Sequence, residues 1–301
     1  MDLRHLNIFI TVCDCGSMTR AAERLYMTQP SVSQAVAELE RDYGVRLFER
    51  LNHRLYLTAA GDHLRSYARH ILNLSEQARK ELLDLSQGGS IRIGATLTIG
   101  AHLLPGLVAS FRPRWPEADI YTQVDNTSVI EKLILEDRLD LGLVEGPVYS
   151  EHVVEQVLQD DDLVIICSPQ HALAVSGRLH VSDLAGWGIL IREQGSGTRD
   201  VFEHAMQAAG VPWKINGVYN NIEAIKQAVR ADLGLGVVSR ISVLEEVGRG
   251  QVVPLAVQGL SLKRKFNLIY HRQKYFTPVM QAFAEHCIAA GRAAHGAAMA
   301  Q

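Results

Sequence analysis

The chain predicts two architectures in series. A small all-α N-terminal domain, built round a helix-turn-helix and extended by one long helix, precedes an α/β region large enough for two subdomains. Three observations predict this. Residues 19–40, TRAAERLYMTQPSVSQAVAELE, read as two short helices joined by a turn. Apolar or small residues recur at heptad spacing between positions 64 and 85. From residue 91 onward, short β-prone runs alternate with helical ones. At 301 residues the chain exceeds the usual size of one domain, and 47% hydrophobic with 21% charged residues is ordinary globular composition.

In the first helix Ala21, Ala22 and Leu25 share an apolar face, and a turn follows at Tyr26 and Met27. Thr28 stands where an N-cap belongs, with Pro30 in the first turn of the second helix, where its missing N–H costs nothing. Val32, Val36 and Leu39 recur at helical spacing and pack inward. That leaves Gln29, Ser31, Ser33 and Gln34 outward near the N-terminus, the end that enters a DNA major groove in this motif. Their amides and hydroxyls suit base edges and phosphates, so Arg20, Thr28, Gln29, Pro30, Ser31, Ser33 and Gln34 form the candidate DNA-contacting set.

Composition alone gives no such hint. The net charge is −3, and residues 1–60 hold seven Arg against seven acids. A basic stripe must come from geometry, and Arg46, Arg50, His53 and Arg54 are clustered to form it as a phosphate clamp. A modest salt dependence of DNA binding is expected.

A long helix is expected over about Thr58–Ser86. Leu64, Ala68, Ile71, Ser75, Ala78, Leu82 and Leu85 follow one another in steps of 4 and 3 residues, a heptad stripe. At about 1.5 Å per residue the helix is roughly 45 Å long, too long to pack only on the small domain before it. Pairing with the same helix of a second chain is its expected use. Gln87-Gly88-Gly89-Ser90 then ends it.

Strands are expected at 91–96, 119–125, 139–145, 163–168, 187–193, 215–220, 235–239 and 265–271. Helices are expected at about 100–114, 126–136, 198–209, 221–231 and 277–291. Such alternation predicts parallel or mixed sheets with helices on both faces. Ligands in these sheets sit at strand carboxyl ends near helix N-termini. Four segments hold that position: Thr96-Leu97-Thr98, Asn126-Thr127, Glu145-Gly146, and Gln194-Gly195-Ser196-Gly197-Thr198-Arg199. The last combines glycines, two hydroxyls, a helix start and a cation, which suits a small anion.

Other chemistries lack their signatures. No GxSxG, HExxH or phosphate-binding GxxxxGK[ST] occurs, so no enzyme, catalytic residue or metal site is expected. Glu145 and Glu223 as an acid–base pair across a cleft is the weaker alternative to two ligand acceptors or solvated carboxylates. Cys13, Cys15, Cys167 and Cys287 form no CxxC and read as reduced thiols. The start Met1-Asp2-Leu3-Arg4-His5 does not read as a signal peptide, and no apolar run approaches about 18 residues; a cytoplasmic protein without a membrane span is expected.

The helix-turn-helix, then LFER (47–50), then LTAAG (57–61), resembles the N-terminus of LysR-type transcriptional regulators. Ala59 stands where that family usually has Pro, with Thr58 still able to cap; Leu51-Asn52-His53 stands at the wing, where the family is often more basic or glycine-rich. The resemblance covers the whole chain and implies a winged helix-turn-helix over 1–57, a linker helix over 58–87 and an effector-binding domain over 88–301. The last would be a two-lobed, periplasmic-binding-protein-like domain, with lobe I at 91–164 and 268–301 and lobe II at 165–267. The family also places effector contacts at positions matching Asn221-Ile222-Glu223, followed here by EAIKQAV and Leu233-Gly234-Leu235-Gly236. GSGTR (195–199) resembles the loop of members that answer anionic metabolites, regulators of sulfur assimilation and carbon fixation among them. The implied partners are an operator in double-stranded DNA, a small effector and no cofactor, a homodimer through the linker helix assembling into a homotetramer, and RNA polymerase. The competing reading is a DNA-binding protein whose C-terminal domain only oligomerises.

Overall fold

The computed structural model describes residues 2–51, 54–83 and 89–299. They form two compact units: one built on residues 2–83 with the short pieces 135–137 and 273–275, the other from the remainder. The boundary expected at 87/88 lies outside the described residues. No helix among them is long and apolar enough to cross a membrane.

In the first unit, α1 (Leu3–Cys15), α2 (Met18–Arg24) and α3 (Gln29–Tyr43) are capped by Asp2, Ser17 and Thr28, whose side-chain oxygens accept backbone N–H groups three residues on. Tyr26 adopts φ 53° in the turn between α2 and α3. Ala21, Ala22, Val32, Val36 and Leu39 enter the core as the spacing predicts, with Leu25 partly buried against it, and Phe9 and Val12 of α1 complete it. A hairpin of β1 (Phe48–Leu51) and β2 (Arg54–Leu57) makes the wing, with Phe48 opposite Leu57. Its tip, Asn52 and the candidate contact His53, lies outside the described residues.

Helix α4 (Ala59–Leu83) starts without the family's proline because Thr58 caps it, accepting the Gly61 N–H at 2.9 Å. Gly61 itself is fixed by packing: a Cβ there would collide with the Leu47 carbonyl. The heptad stripe divides in a way the sequence reading did not anticipate. Leu64 and Ala68 pack into the N-terminal core, whereas Tyr67, Ile71 and Leu74 are exposed. The large outward apolar side chains are therefore at 67, 71 and 74, and of the expected seam Ile71, Ser75 and Ala78 are exposed; Leu85 falls outside the described residues.

The second unit contains β3 (Ser90–Ala95), α5 (Leu97–His102), α6 (Leu104–Phe111), β4 (Asp119–Val124), α7 (Thr127–Leu135), β5 (Leu141–Val144) and β6 (Val153–Cys167). These are followed by β7 (Leu179–His180), β8 (Gly188–Arg192), α8 (Gly197–Ala209), β9 (Lys214–Tyr219), α9 (Ile222–Arg230) and β10 (Leu235–Ser239). It ends with α10 (Leu244–Gly248), β11 (Val253–Leu255), β12 (Val257–Gln258), β13 (Lys263–His271) and α11 (Pro278–Met299). The single helix expected at 100–114 is instead α5 and α6, broken at Leu103, so Thr98 lies inside a first helical turn.

The main sheet runs β4-β3-β5-β13-β6-β10-β8-β9, with β11 also on β6. Parallel β4-β3-β5 forms one lobe and parallel β10-β8-β9 the other. The joint is the antiparallel pair β6 and β13. Strand β6 begins at Val153, ten residues before the strand expected at 163; its first part pairs with β13 and its last part with β10. The crossings expected near 165 and 268 fall within these two strands.

Register at the joint follows charge. Lys263, Arg264 and Lys265 stand opposite Asp162, Asp161 and Asp160. Because strand side chains alternate, the outer members of each triplet are exposed while Arg264 and Asp161 point inward and are buried. Separate apolar clusters fill the lobes, round Phe111 and Phe283 in one and round Phe202 and Ile225 in the other.

Candidate functional site

The outer start of α3 presents the predicted polar set. Arg20, Thr28, Pro30, Ser31 and Gln34 are exposed, and Gln29 and Ser33 are half-buried. Thr28 caps the helix through the Ser31 N–H, and the two hydroxyls are 2.8 Å apart. Gln29 donates Nε2 to Ser33 Oγ at 2.6 Å, and Gln34 donates Nε2 to Glu38 Oε1 at 3.0 Å. Each glutamine thus spends an amide N–H, not its carbonyl oxygen, on these contacts. Glu38 was absent from the sequence-based set; it also meets His5 Nε2 at 2.9 Å. Glu38 and then Asp2 hold the His5 imidazole above its ordinary pKa. Arg50 and Arg54 belong to the wing strands.

In the second unit, strand ends bring most of the predicted ligand residues together. Thr96, Thr98, Thr127, Glu145, Gly146, Ser196, Gly197 and Thr198 are buried; Leu97, Asn126, Arg199 and Ile222 are half-buried. At the lobes' meeting point, Gly146 and Gly197 approach so closely that a Cβ on either would overlap the other's Cα. Polar contacts flank this point. Asn126 donates Nδ2 to Glu193 at 3.3 Å, and the Ser128 N–H donates to the Gly195 carbonyl at 3.2 Å.

Behind this contact lies the strongest feature of the site, and it was not predicted. Arg264 donates Nε to Asp161 at 2.6 Å, Nη1 to Thr198 Oγ1 at 2.9 Å and Nη2 to Thr98 Oγ1 at 3.5 Å. Thr98 donates onward to Glu145 at 2.9 Å, and Ser239 donates to the second oxygen of Asp161 at 2.7 Å. One guanidinium on a joint strand therefore ties the first turn of α5 to the first turn of α8. Burial pushes the Asp161 carboxyl above its usual range despite the opposing pull of Arg264 and Ser239. The sequence signal was present: an acidic triplet and a basic triplet, each on a strand, whose alternation turns the middle member inward.

Three predicted residues sit differently. Arg199 pairs with Glu203 at 2.7 Å and donates to the Arg192 carbonyl, so its charge is spent within α8 and the strand before it. Glu223 is exposed and bound to Lys226 and Gln227, on the outside of α9 and away from any acid–base role with Glu145. Gln194 is exposed. The buried cations are instead Arg264 and Arg192, the latter bidentate on Glu193 with both distances 2.8 Å. Burial works against the Glu193 charge, but Arg192 holds its carboxyl below the usual value. No cluster of three or more His, Cys, Asp or Glu among the described residues is placed to hold a metal.

Comparison with known proteins gives the family of both parts of the chain. Residues 3–62 match the bacterial regulatory helix-turn-helix protein family of lysR type, and residues 85–292 match the LysR substrate binding domain. The RuBisCO operon transcriptional regulator of Allochromatium vinosum is 34% identical over 98% of both chains. The HTH-type transcriptional regulator YeiE of Escherichia coli strain K12 is 33% identical over 95% of this chain and 96% of its own. Among solved structures, the CcmR regulatory domain of Synechocystis PCC6803, in complex with 2-PG, superposes with TM-score 0.63 at 24% identity. It covers 67% of this chain and 97% of that domain. These are families of regulators, not of enzymes, and the chain belongs to the LysR family of transcriptional regulators.

Proposed function

We propose that the start of α3, with Arg20, Thr28, Gln29, Pro30, Ser31, Ser33 and Gln34, reads operator bases in a major groove while Arg50, His53 and Arg54 grip flanking phosphates. Two copies pair through α4 along Tyr67, Ile71 and Leu74 and assemble further into tetramers, which act in the cytoplasm at promoters engaged by RNA polymerase. The cleft bounded by Thr96–Thr98, Asn126–Thr127, Glu145–Gly146 and Gln194–Arg199, with Ile222 at its edge, takes a small anionic metabolite. A ligand that favours one lobe geometry shifts the assembly and so changes how it holds DNA.

The observation that carries this reading is the Arg264 bridge. Thr98 and Thr198 open helices on opposite lobes and share one buried guanidinium, so a ligand engaging either hydroxyl acts on the joint. The ligand reported in the CcmR regulatory domain supports a small-molecule occupant. A thermal-shift screen of the full chain against small organic and inorganic anions tests it. At 100 times its dissociation constant a ligand stabilises by about 2.7 kcal/mol, and that shift is expected to vanish in Thr198→Val. A shift that persists unchanged in Thr198→Val rejects the cleft as its site.

A further inference from the structure

The lobe I side of the cleft carries two polar atoms that no neighbour satisfies. Glu145 is 1% exposed. Its Oε1 accepts from Thr98 and lies 3.7 Å from Arg264 Nη1. Its Oε2 is buried and has no hydrogen-bond partner among the described residues. Thr127, 3% exposed, opens α7, and its Oγ1 is likewise buried without a partner among those residues. The Thr127 oxygen lies 3.1 Å from where a Cβ of Gly146, the residue after Glu145, would stand. Gly146 is the residue that meets Gly197 at the start of α8, so both atoms belong to the place where the lobes touch.

An ionised carboxyl oxygen only accepts hydrogen bonds, and a buried one left unmatched is costly. The charges point the same way. Glu145 and Asp161 share the Arg264 guanidinium, whose Nε is committed to Asp161. An oxyanion with no hydrogen to give would meet Glu145 acceptor against acceptor. A hydroxyl or ammonium group would donate to Glu145 Oε2 and complement Thr127. The opposite demand stands at the end of β8, where Arg192 Nη1 is buried without a partner among the described residues and calls for an acceptor.

We propose that the cleft selects a small carboxylate of the hydroxy-acid or amino-acid type, its donor group read by Glu145 and Thr127, over oxyanions that lack a donor. The inference rests on the reading of the cleft as a ligand site given above. Calorimetric titration of the full chain with matched probes tests it: lactate against propionate, alanine against propionate, 3-phosphoglycerate against the phosphate ester of 3-hydroxypropionate, and sulfate alone.

The donor-bearing member of each pair is expected to bind roughly 10- to 100-fold more tightly. That advantage is expected to shrink towards one in Glu145→Gln and to fall at least about threefold in Thr127→Val. Thr127→Val also guards against misfolding, because it removes a hydroxyl that has no partner among the described residues; its melting temperature is expected to stay level or rise. Equal affinities within the pairs, or binding of sulfate only, lost in Thr198→Val, overturn the donor reading and leave the cleft as a ligand site. No binding by any probe overturns both.

Discussion

The reading face of α3 and the cleft of the second unit are both polar, but they are built on opposite principles. On α3 the polar groups are exposed or half-buried, and their bonds mostly span three or four residues, as in Gln29–Ser33, Thr28–Ser31 and Gln34–Glu38. In the cleft they are buried and join positions far apart in the chain, Arg264 reaching Asp161, Thr198 and Thr98. Exposed pairs of the first kind contribute about 0–1 kcal/mol each and leave side chains free to exchange partners with DNA. Buried pairs of the second kind cost several kcal/mol to break one-sidedly. In the proposed function the α3 face would exchange its local bonds for a ligand that supplies its own charges and edges, whereas a ligand in the cleft would act on lobe geometry through the Arg264 network.

Four experiments break or sharpen this contrast. The largest effect is expected from Arg264→Ala, which strands Asp161 and Glu145 in the interior and should destabilise the second unit by about 3–5 kcal/mol in urea unfolding. A loss below about 1 kcal/mol would place Arg264 with the surface pairs. Next, Gln34→Ala should cost about 1–3 kcal/mol on operator DNA and almost nothing on random DNA, measured by competition binding. Equal losses would make Gln34 a phosphate contact.

A smaller effect concerns pH. The folded pKa of His5 is raised, so its stabilisation of the first unit is fully present below about 6.5, the unfolded value, and is lost as pH rises through the folded value. Glu38, lowered chiefly by His5, contributes in the opposite sense, above its unfolded value and lost at lower pH. The stability of the wild type should thus fall from pH 6 to 8 relative to His5→Gln, and parallel profiles would remove His5 from the network. The smallest effect is on thiol chemistry. Burial pushes Cys13 and Cys287 up to about 12 and Cys167 up to about 11. Cys167 and Cys287, both buried, should resist a thiol-specific reagent at pH 8 until the chain unfolds, with half-buried Cys13 reacting ahead of them; rapid labelling of Cys167 or Cys287 in the folded chain would contradict their burial.

The same contrast explains what could be read from the sequence. Helix caps, the turn at Tyr26 and the inward line Val32-Val36-Leu39 are local patterns, and the structure reproduces them. The strand-end segments were legible because α/β topology fixes where ligand loops fall. The partners of those segments were not. Arg199 looked like the site's cation by its loop, but Glu203 one helical turn on claims it. Arg264 lay 65 residues further along the chain and became visible only once β13 was paired with β6. The α4 stripe was legible only in part for a related reason: spacing shows periodicity but not which neighbour covers each face, and Leu64 and Ala68 are covered by their own domain while Ile71, Ser75 and Ala78 are exposed.

In the proposed function, ligand binding in the cleft and operator binding at α3 influence each other, with the Arg264 bridge as the element that a cleft ligand acts on. Linkage requires that coupling to appear symmetrically in the two binding free energies. The most direct measurement is the affinity of the best cleft ligand for the full chain, with and without an operator selected from random DNA, in wild type and Arg264→Lys. The account predicts at least an about fivefold change in ligand affinity on operator binding in wild type, and a ratio near one in Arg264→Lys. Ligand affinity indifferent to operator in the wild type, or coupling undiminished in Arg264→Lys, would contradict it.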